Sequence, residues 1–91
     1  MKFYSSPSFL RCFKKLDSLR KQKVNEAIKD LIELYNTGLN PKGLGFKRLR
    51  KNLWEIRSSL KDRILFTISD EVITFVVVGN HDEIRRYLKS L

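Results

Sequence analysis

A chain of 91 residues holds one domain and buries only about 60 to 65% of the surface its unfolded form exposes, which excludes a deep enclosed active site and leaves an exposed face or shallow cleft. Hydrophobic residues at 42% and aromatic residues at 11% exclude a disordered composition, while 19 Lys and Arg against 10 Asp and Glu give a formal charge of +9 and a sequence pI near 10.0. Such a field favours polyanions, whether nucleic acid, an anionic membrane surface or an acidic protein segment, without naming one of them.

Phe3 and Tyr4 begin a short strand that stops at Ser5, Ser6 and Pro7, where Ser6 suits an N-cap and Pro7 the first helical position. Phe9, Cys12, Phe13 and Leu16 then recur at helical spacing. Asp17 and Ser18 interrupt that pattern, and either can cap a longer helix in which Val24, Ala27, Ile28, Leu31, Ile32 and Tyr35 form one apolar stripe ending at Gly38. Two amphipathic helices joined by so short a turn form an antiparallel hairpin that needs a common surface to cover.

From Asn40 to Asn52 a glycine-containing basic connection is too irregular for a defined element and is predicted as loop, with room for a short strand near its end. Leu53 to Ser58, Arg63 to Ile68 and Val72 to Val78 are rich in Ile, Val, Phe and Trp and are separated by turn-length breaks, which predicts a three-stranded antiparallel meander. After Gly79 the segment Asp82 to Leu91 reads as a short basic helix with Ile84, Tyr87, Leu88 and Leu91 on one side. The expected fold class is therefore α+β, a single domain over residues 1–91, with the meander packed on the helical hairpin.

Cys12 is the only cysteine, so an intrachain disulfide and a Cys-based zinc site are both excluded. The longest hydrophobic run, Val72 to Val78, is of strand length and no apolar stretch of secretory length follows the N-terminus, so a cytoplasmic protein without a membrane span, a cofactor or a metal is expected.

Strand alternation places Trp54 and Ile56, with Ile64, Phe66 and Ile68, against the helices, leaving Glu55, Arg57, Arg63 and Thr67 on an open opposite face. Arg57 and Arg63 flank the first hairpin turn as near cross-strand neighbours, an arrangement suited to a bound phosphate. The plainer alternative is a surface ion-pair ladder with Glu55 worth less than about 1 kcal/mol. His81 follows the last strand, where side chains tend to face a cleft, and an imidazole can serve as acid or base in proton transfer. Lys42, Lys47, Arg48, Arg50 and Lys51 occur without an intervening acid, and beside such a site they suit contact with an RNA phosphate backbone rather than only a solvated face.

The order of strand, helical hairpin, basic connection, meander and terminal helix resembles the RelE/ParE superfamily of bacterial toxins over essentially the whole chain. Leu53-Trp54-Glu55-Ile56-Arg57 and Asp62-Arg63-Ile64-Leu65-Phe66 look like the family's aromatic-x-x-Arg and Arg-hydrophobic-hydrophobic-aromatic strands, and Val77-Val78-Gly79-Asn80-His81-Asp82-Glu83 is similar to its strand-end motif. The spacing is closest to the RelE and YoeB-type mRNA interferases. That resemblance implies a metal-independent endoribonuclease that cuts mRNA on the ribosome through the substrate's 2′-hydroxyl and inhibits translation, with Arg63 stabilising the phosphate, His81 transferring a proton and Arg57 as a supporting cation. Glu55 and Tyr87 are further catalytic candidates. The pattern's glutamate before the meander corresponds here to Lys47, and the tyrosine of other relatives corresponds to Arg85. An acidic antitoxin protein, the ribosome and mRNA are the implied partners. Two other functions remain open on the sequence: a ParE-like inhibitor of gyrase without nuclease activity, and a non-catalytic basic RNA-binding module, which the scarcity of stacking aromatics outside the expected core disfavours.

Overall fold

The computed structural model describes residues 1–39 and 43–91. Ser6 accepts a hydrogen bond from the Phe9 amide and Pro7 occupies the first turn of helix α1 (Pro7–Lys14), which follows strand β1 (Lys2–Ser5). Asp17 caps helix α2 (Ser18–Thr37) through the Arg20 amide at 2.9 Å, and Gly38 closes it in the left-handed conformation at φ 77°. Four antiparallel strands follow, β2 (Lys47–Arg50), β3 (Leu53–Arg57), β4 (Asp62–Ser69) and β5 (Val72–Asn80), before helix α3 (His81–Lys89). The sheet order among the described residues is β1-β5-β4-β3-β2, with β1 parallel to β5.

Two features go beyond the expected meander. The segment predicted as loop carries β2, whose side chains are mostly exposed and cationic, so no alternating apolar face announces it. The final helix starts at His81 rather than Asp82, because Asn80 and Glu83 form a capping box: the Asn80 side chain accepts from the Glu83 amide and Glu83 Oε1 accepts from the Asn80 amide, both at 2.9 Å.

The sheet is buried on both faces. Phe9, Leu16, Val24, Ala27 and Leu31 from α1, α2 and their connection pack on Ile56, Ile64, Phe66, Ile73, Phe75 and Val78. On the other face Ile84 of α3 packs with Leu53, Leu65 and Val77, flanked by half-buried Tyr87, Leu88 and Leu49. That face is thus not an open sheet, as the sequence suggested, but is partly roofed by α3. A bulge makes the two-sided burial possible in β5: the register steps from Leu65↔Val77 to Phe66↔Phe75, so Val76 is extra and Phe75 and Val78 can face the same core. The Ser8 hydroxyl donates to the Val76 carbonyl at 2.7 Å, satisfying the bulged backbone from α1.

The β3–β4 hairpin is anchored to α2 by a buried ion pair. Asp62, 1% exposed, accepts from Arg20 Nε at 2.8 Å and Arg20 Nη2 at 2.7 Å, a bidentate arrangement that raises the guanidinium pKa above its usual value chiefly through this hydrogen bonding. The link fixes the strand start from which Arg63 projects. Among the described residues no helix is long and apolar enough to cross a membrane.

Candidate functional site

Alternation along β3 and β4 sends Leu53, Glu55, Arg63 and Leu65 to the side covered by α3. Because α3 packs its Ile84 over Leu53 and Leu65 nearer the middle of the strands, a groove of about 330 Å³ remains between the helix, β2 and the Glu55–Arg63 region. Lys47, Glu55, Arg63, His81 and Arg85 supply its polar lining. Leu49, Ile84 and Leu88 supply an apolar wall.

Glu55 lies at the centre of the charges. Its backbone is paired with Lys47 across β2 and β3, and its carboxylate Oε2 stands 3.6 Å from Lys47 Nζ and 3.9 Å from Arg63 Nε. The glutamate side chain is only 10% exposed, whereas Lys47 is 64% and Arg63 20% exposed. These are ion pairs too long for good hydrogen bonds, so both cations keep donors for an incoming anion. Arg63 is opposite Gly79 in the β4–β5 register, and a Cβ on Gly79 would stand 2.9 Å from Glu83 Cβ. Glycine is therefore what allows the first turn of α3 to close onto the strand end and bring His81 to the groove.

His81 is exposed at the first position of α3, and Arg85 follows one turn later on the same side of the helix. Arg85 Nη2 is 3.0 Å from His81 Nε2. A guanidinium has no acceptor, so a hydrogen bond here has arginine donating and Nε2 accepting. Arg85 is the groove residue that sequence reasoning did not select; the four-residue spacing from His81 is the signal that points to it.

The other expected site residues divide. Arg57 is paired with Arg63 in the backbone register, yet its side chain lines a different groove, of about 180 Å³, with Lys23, Glu26 and Asp30 of α2 and with Gly43 and Leu44. Gly45, at φ 65°, gives the Arg57 side chain room: a Cβ there would lie 3.3 Å from Arg57 Cβ. Tyr87 packs with the Leu53, Leu65, Val77 and Ile84 cluster and does not line the groove. Arg50 donates to the Leu88 carbonyl at 3.1 Å, tying β2 to the last turn of α3, and Arg48 donates to the Arg50 carbonyl at 3.2 Å. Lys51 is exposed in the turn after β2. Lys42 lies outside the described residues. Among those described, no group of three His, Cys, Asp or Glu side chains is placed to hold a metal ion.

The arrangement offers cations for a phosphate, one imidazole for a proton and an apolar wall for a flat ring. No family model and no curated protein matches the chain by sequence. Solved structures do match it. The RelB-RelE antitoxin-toxin complex from Methanococcus jannaschii superposes with a TM-score of 0.70 over 96% of this chain and 98% of that chain at 19% identity. The Escherichia coli DinJ-YafQ complex gives 0.72 over 90% and 94% at 17% identity. The Staphylococcus aureus YoeB dimer gives 0.66 over 89% and 97% at 18% identity. The chain therefore has the RelE-like α+β fold along almost its full length.

Proposed function

We propose that this protein is the toxin of a type II toxin-antitoxin system and that it acts as an endoribonuclease on ribosome-bound mRNA. The observation that carries the reading is the convergence of Glu55, Arg63 and His81, from three different elements, on one groove. A surface ion-pair ladder needs neither the histidine nor the apolar wall.

RNA cleavage without a metal uses the 2′-hydroxyl that DNA lacks. Neutral His81 takes the 2′-hydroxyl proton at Nε2, the alkoxide attacks the adjacent phosphorus in line, and the bond to the 5′-oxygen breaks. The ammonium of Lys47 donates a proton to that departing oxygen, leaving a 2′,3′-cyclic phosphate on one fragment and a 5′-hydroxyl on the other. Arg63 meets the charge that builds on the phosphorane, a role in which one preorganised donor commonly contributes about 3 to 4 kcal/mol. Glu55, between Lys47 and Arg63, holds both cations against the groove. Leu49, Ile84 and Leu88 take a nucleobase face, which excludes water without reading base identity. Arg57, in its separate groove, and the β2 and turn cations Arg48, Arg50 and Lys51, with Lys42, act as backbone contacts that position the RNA.

An antitoxin of acidic character follows from the +9 charge together with an exposed site, and the RelB-RelE complex from Methanococcus jannaschii is one of a toxin with its antitoxin. The test is to add the purified protein to a translating system and map the message ends. Cuts within ribosome-held codons, ending in cyclic phosphate and 5′-hydroxyl, support the reading. Intact message accompanied by DNA-damage signalling in producing cells would replace it with gyrase poisoning.

A further inference from the structure

The hydrogen bond from Arg85 to His81 occupies the nitrogen that proton transfer requires. We propose that Arg85 is a positioning residue that caps His81 Nε2 while the groove is empty and releases it when a phosphodiester draws the guanidinium away. The inference rests on the reading of the groove as an RNA-cleaving site and adds a control on when its base becomes available.

Three observations carry it. Arg85 and His81 both line the groove, so a phosphate lodged beside Arg63 lies within the reach of a long arginine side chain. Arg85 is exposed and has no ion-pair partner among the described residues, so an anionic oxygen offers it a stronger, charge-assisted bond than a neutral imidazole does. The contact is also one-directional: once Nε2 takes a proton, histidine and arginine are both donors and both positive, and the original bond cannot re-form. The 2′-hydroxyl O–H bond breaks as the Nε2–H bond forms, and from that moment the guanidinium is retained on the phosphorane. Substrate binding, exposure of the base and supply of a second cation are thereby linked in one side-chain movement.

His81 is the sole histidine, so its ring nitrogens can be followed without ambiguity. Long-range proton–nitrogen NMR spectra of the uniformly labelled protein should be recorded at pH 8, with a 2′-deoxy dinucleotide as an uncleavable phosphodiester. The expected result in the ligand-free protein is an unprotonated Nε2 and a protonated Nδ1. Arg85→Met, which alters an exposed side chain and should leave the melting temperature unchanged, is expected to move the ring toward the Nε2–H form that isolated imidazole favours. Saturating dinucleotide should move the wild-type tautomer in the same direction, because a 2′-deoxy ligand draws the guanidinium away but has no 2′-hydroxyl to replace it as donor to Nε2, and should leave the tautomer of Arg85→Met unchanged. Identical imidazole spectra for the wild type and Arg85→Met, or dinucleotide binding that leaves the wild-type ring unaltered, would overturn the capping role. Cleavage assays on ribosomes separate this from the broader reading: capping with no cleavage by the wild type defeats the nuclease assignment alone, and cleavage without capping defeats this inference alone.

Discussion

Glu55 sits between two cations and is more buried than either, which makes the neighbouring Arg63 and His81 the informative residues to change. Arg63→Ala removes the donor assigned to the phosphorane without disturbing the α1–α2 core, and should lower cleavage by about 10²- to 10³-fold with little change in melting temperature. His81→Gln keeps a polar side chain but no proton-transfer group and should lower cleavage by about 10²- to 10⁴-fold. Full activity of either folded variant on ribosome-bound message would remove that residue from the chemistry. Arg57→Ala should cost less than Arg63→Ala, because Arg57 lines the groove beside α2. That division was not legible in the sequence. Alternation fixes the face from which a Cβ leaves the strand, and Arg57 and Arg63 do leave side by side; it does not fix where a long side chain ends, and the gap at Gly45 decides that. That Glu55 and Arg63 share a face was legible because a half-buried strand admits only one register of in and out.

At the scale of elements, caps and periodicity carried most of the information: Ser6 with Pro7, Asp17 and Gly38 mark the ends of α1 and α2 where their chemistry requires. β2 showed only as room for a short strand near the end of a loop, because Lys47, Arg48 and Arg50 surround a single apolar residue, Leu49, and a cationic edge strand buries too little to show a period of two. The placement of α3 was equally hidden, since the stripe Ile84, Tyr87 and Leu88 says that the helix packs but not on which face of the sheet. Gly79 leaves the room that the helix's close approach needs. Gly79→Ala forces a new methyl against Glu83 Cβ, and should destabilise the fold by about 1 to 3 kcal/mol in urea unfolding while displacing His81 and lowering cleavage further than the stability loss explains. The Arg20–Asp62 pair anchors the same end of the sheet from the α2 side, since Asp62 is paired with Asn80 beside Gly79. Arg20→Met strands a carboxylate that is 1% exposed and should cost about 3 kcal/mol, a loss that adding Asp62→Asn partly reverses by removing the unpaired charge. Equal stability of Arg20→Met and the wild type would show that the pair does not hold the hairpin.

For the whole molecule the decisive quantities are the charge of +9 and the size of the groove, about 330 Å³ in a body of 31 × 29 × 21 Å. The charge acts at long range, where salt screens it over about 8 to 10 Å at physiological strength. Association with an acidic antitoxin should therefore slow steeply as salt rises from low to physiological concentration, and a rate indifferent to salt in stopped-flow mixing would remove electrostatic steering from the account. The groove acts at short range and is near the lower end of the roughly 300 to 1,000 Å³ spanned by small-molecule pockets, so it cannot grip several nucleotides in register. In-line attack nevertheless requires the 2′-oxygen, phosphorus and 5′-oxygen to be aligned, and effective molarities for such alignment reach about 10⁵ to 10⁸ M. A surface that holds little of the strand leaves most of that ordering to something else. Under the proposed function that something is the ribosome, which would hold the message extended while β2 and its following turn, with Arg48, Arg50 and Lys51, offer cations for docking on ribosomal RNA. The expected outcome is rapid cleavage of a message on stalled ribosomes and little cleavage of the same RNA in free solution, with or without a chelator, as read by quantifying the cut ends over time. Comparable rates on naked and ribosome-bound RNA would show that the groove orients its substrate unaided, and the dependence on the ribosome would then be rejected while the assignment of Arg63 and His81 stood.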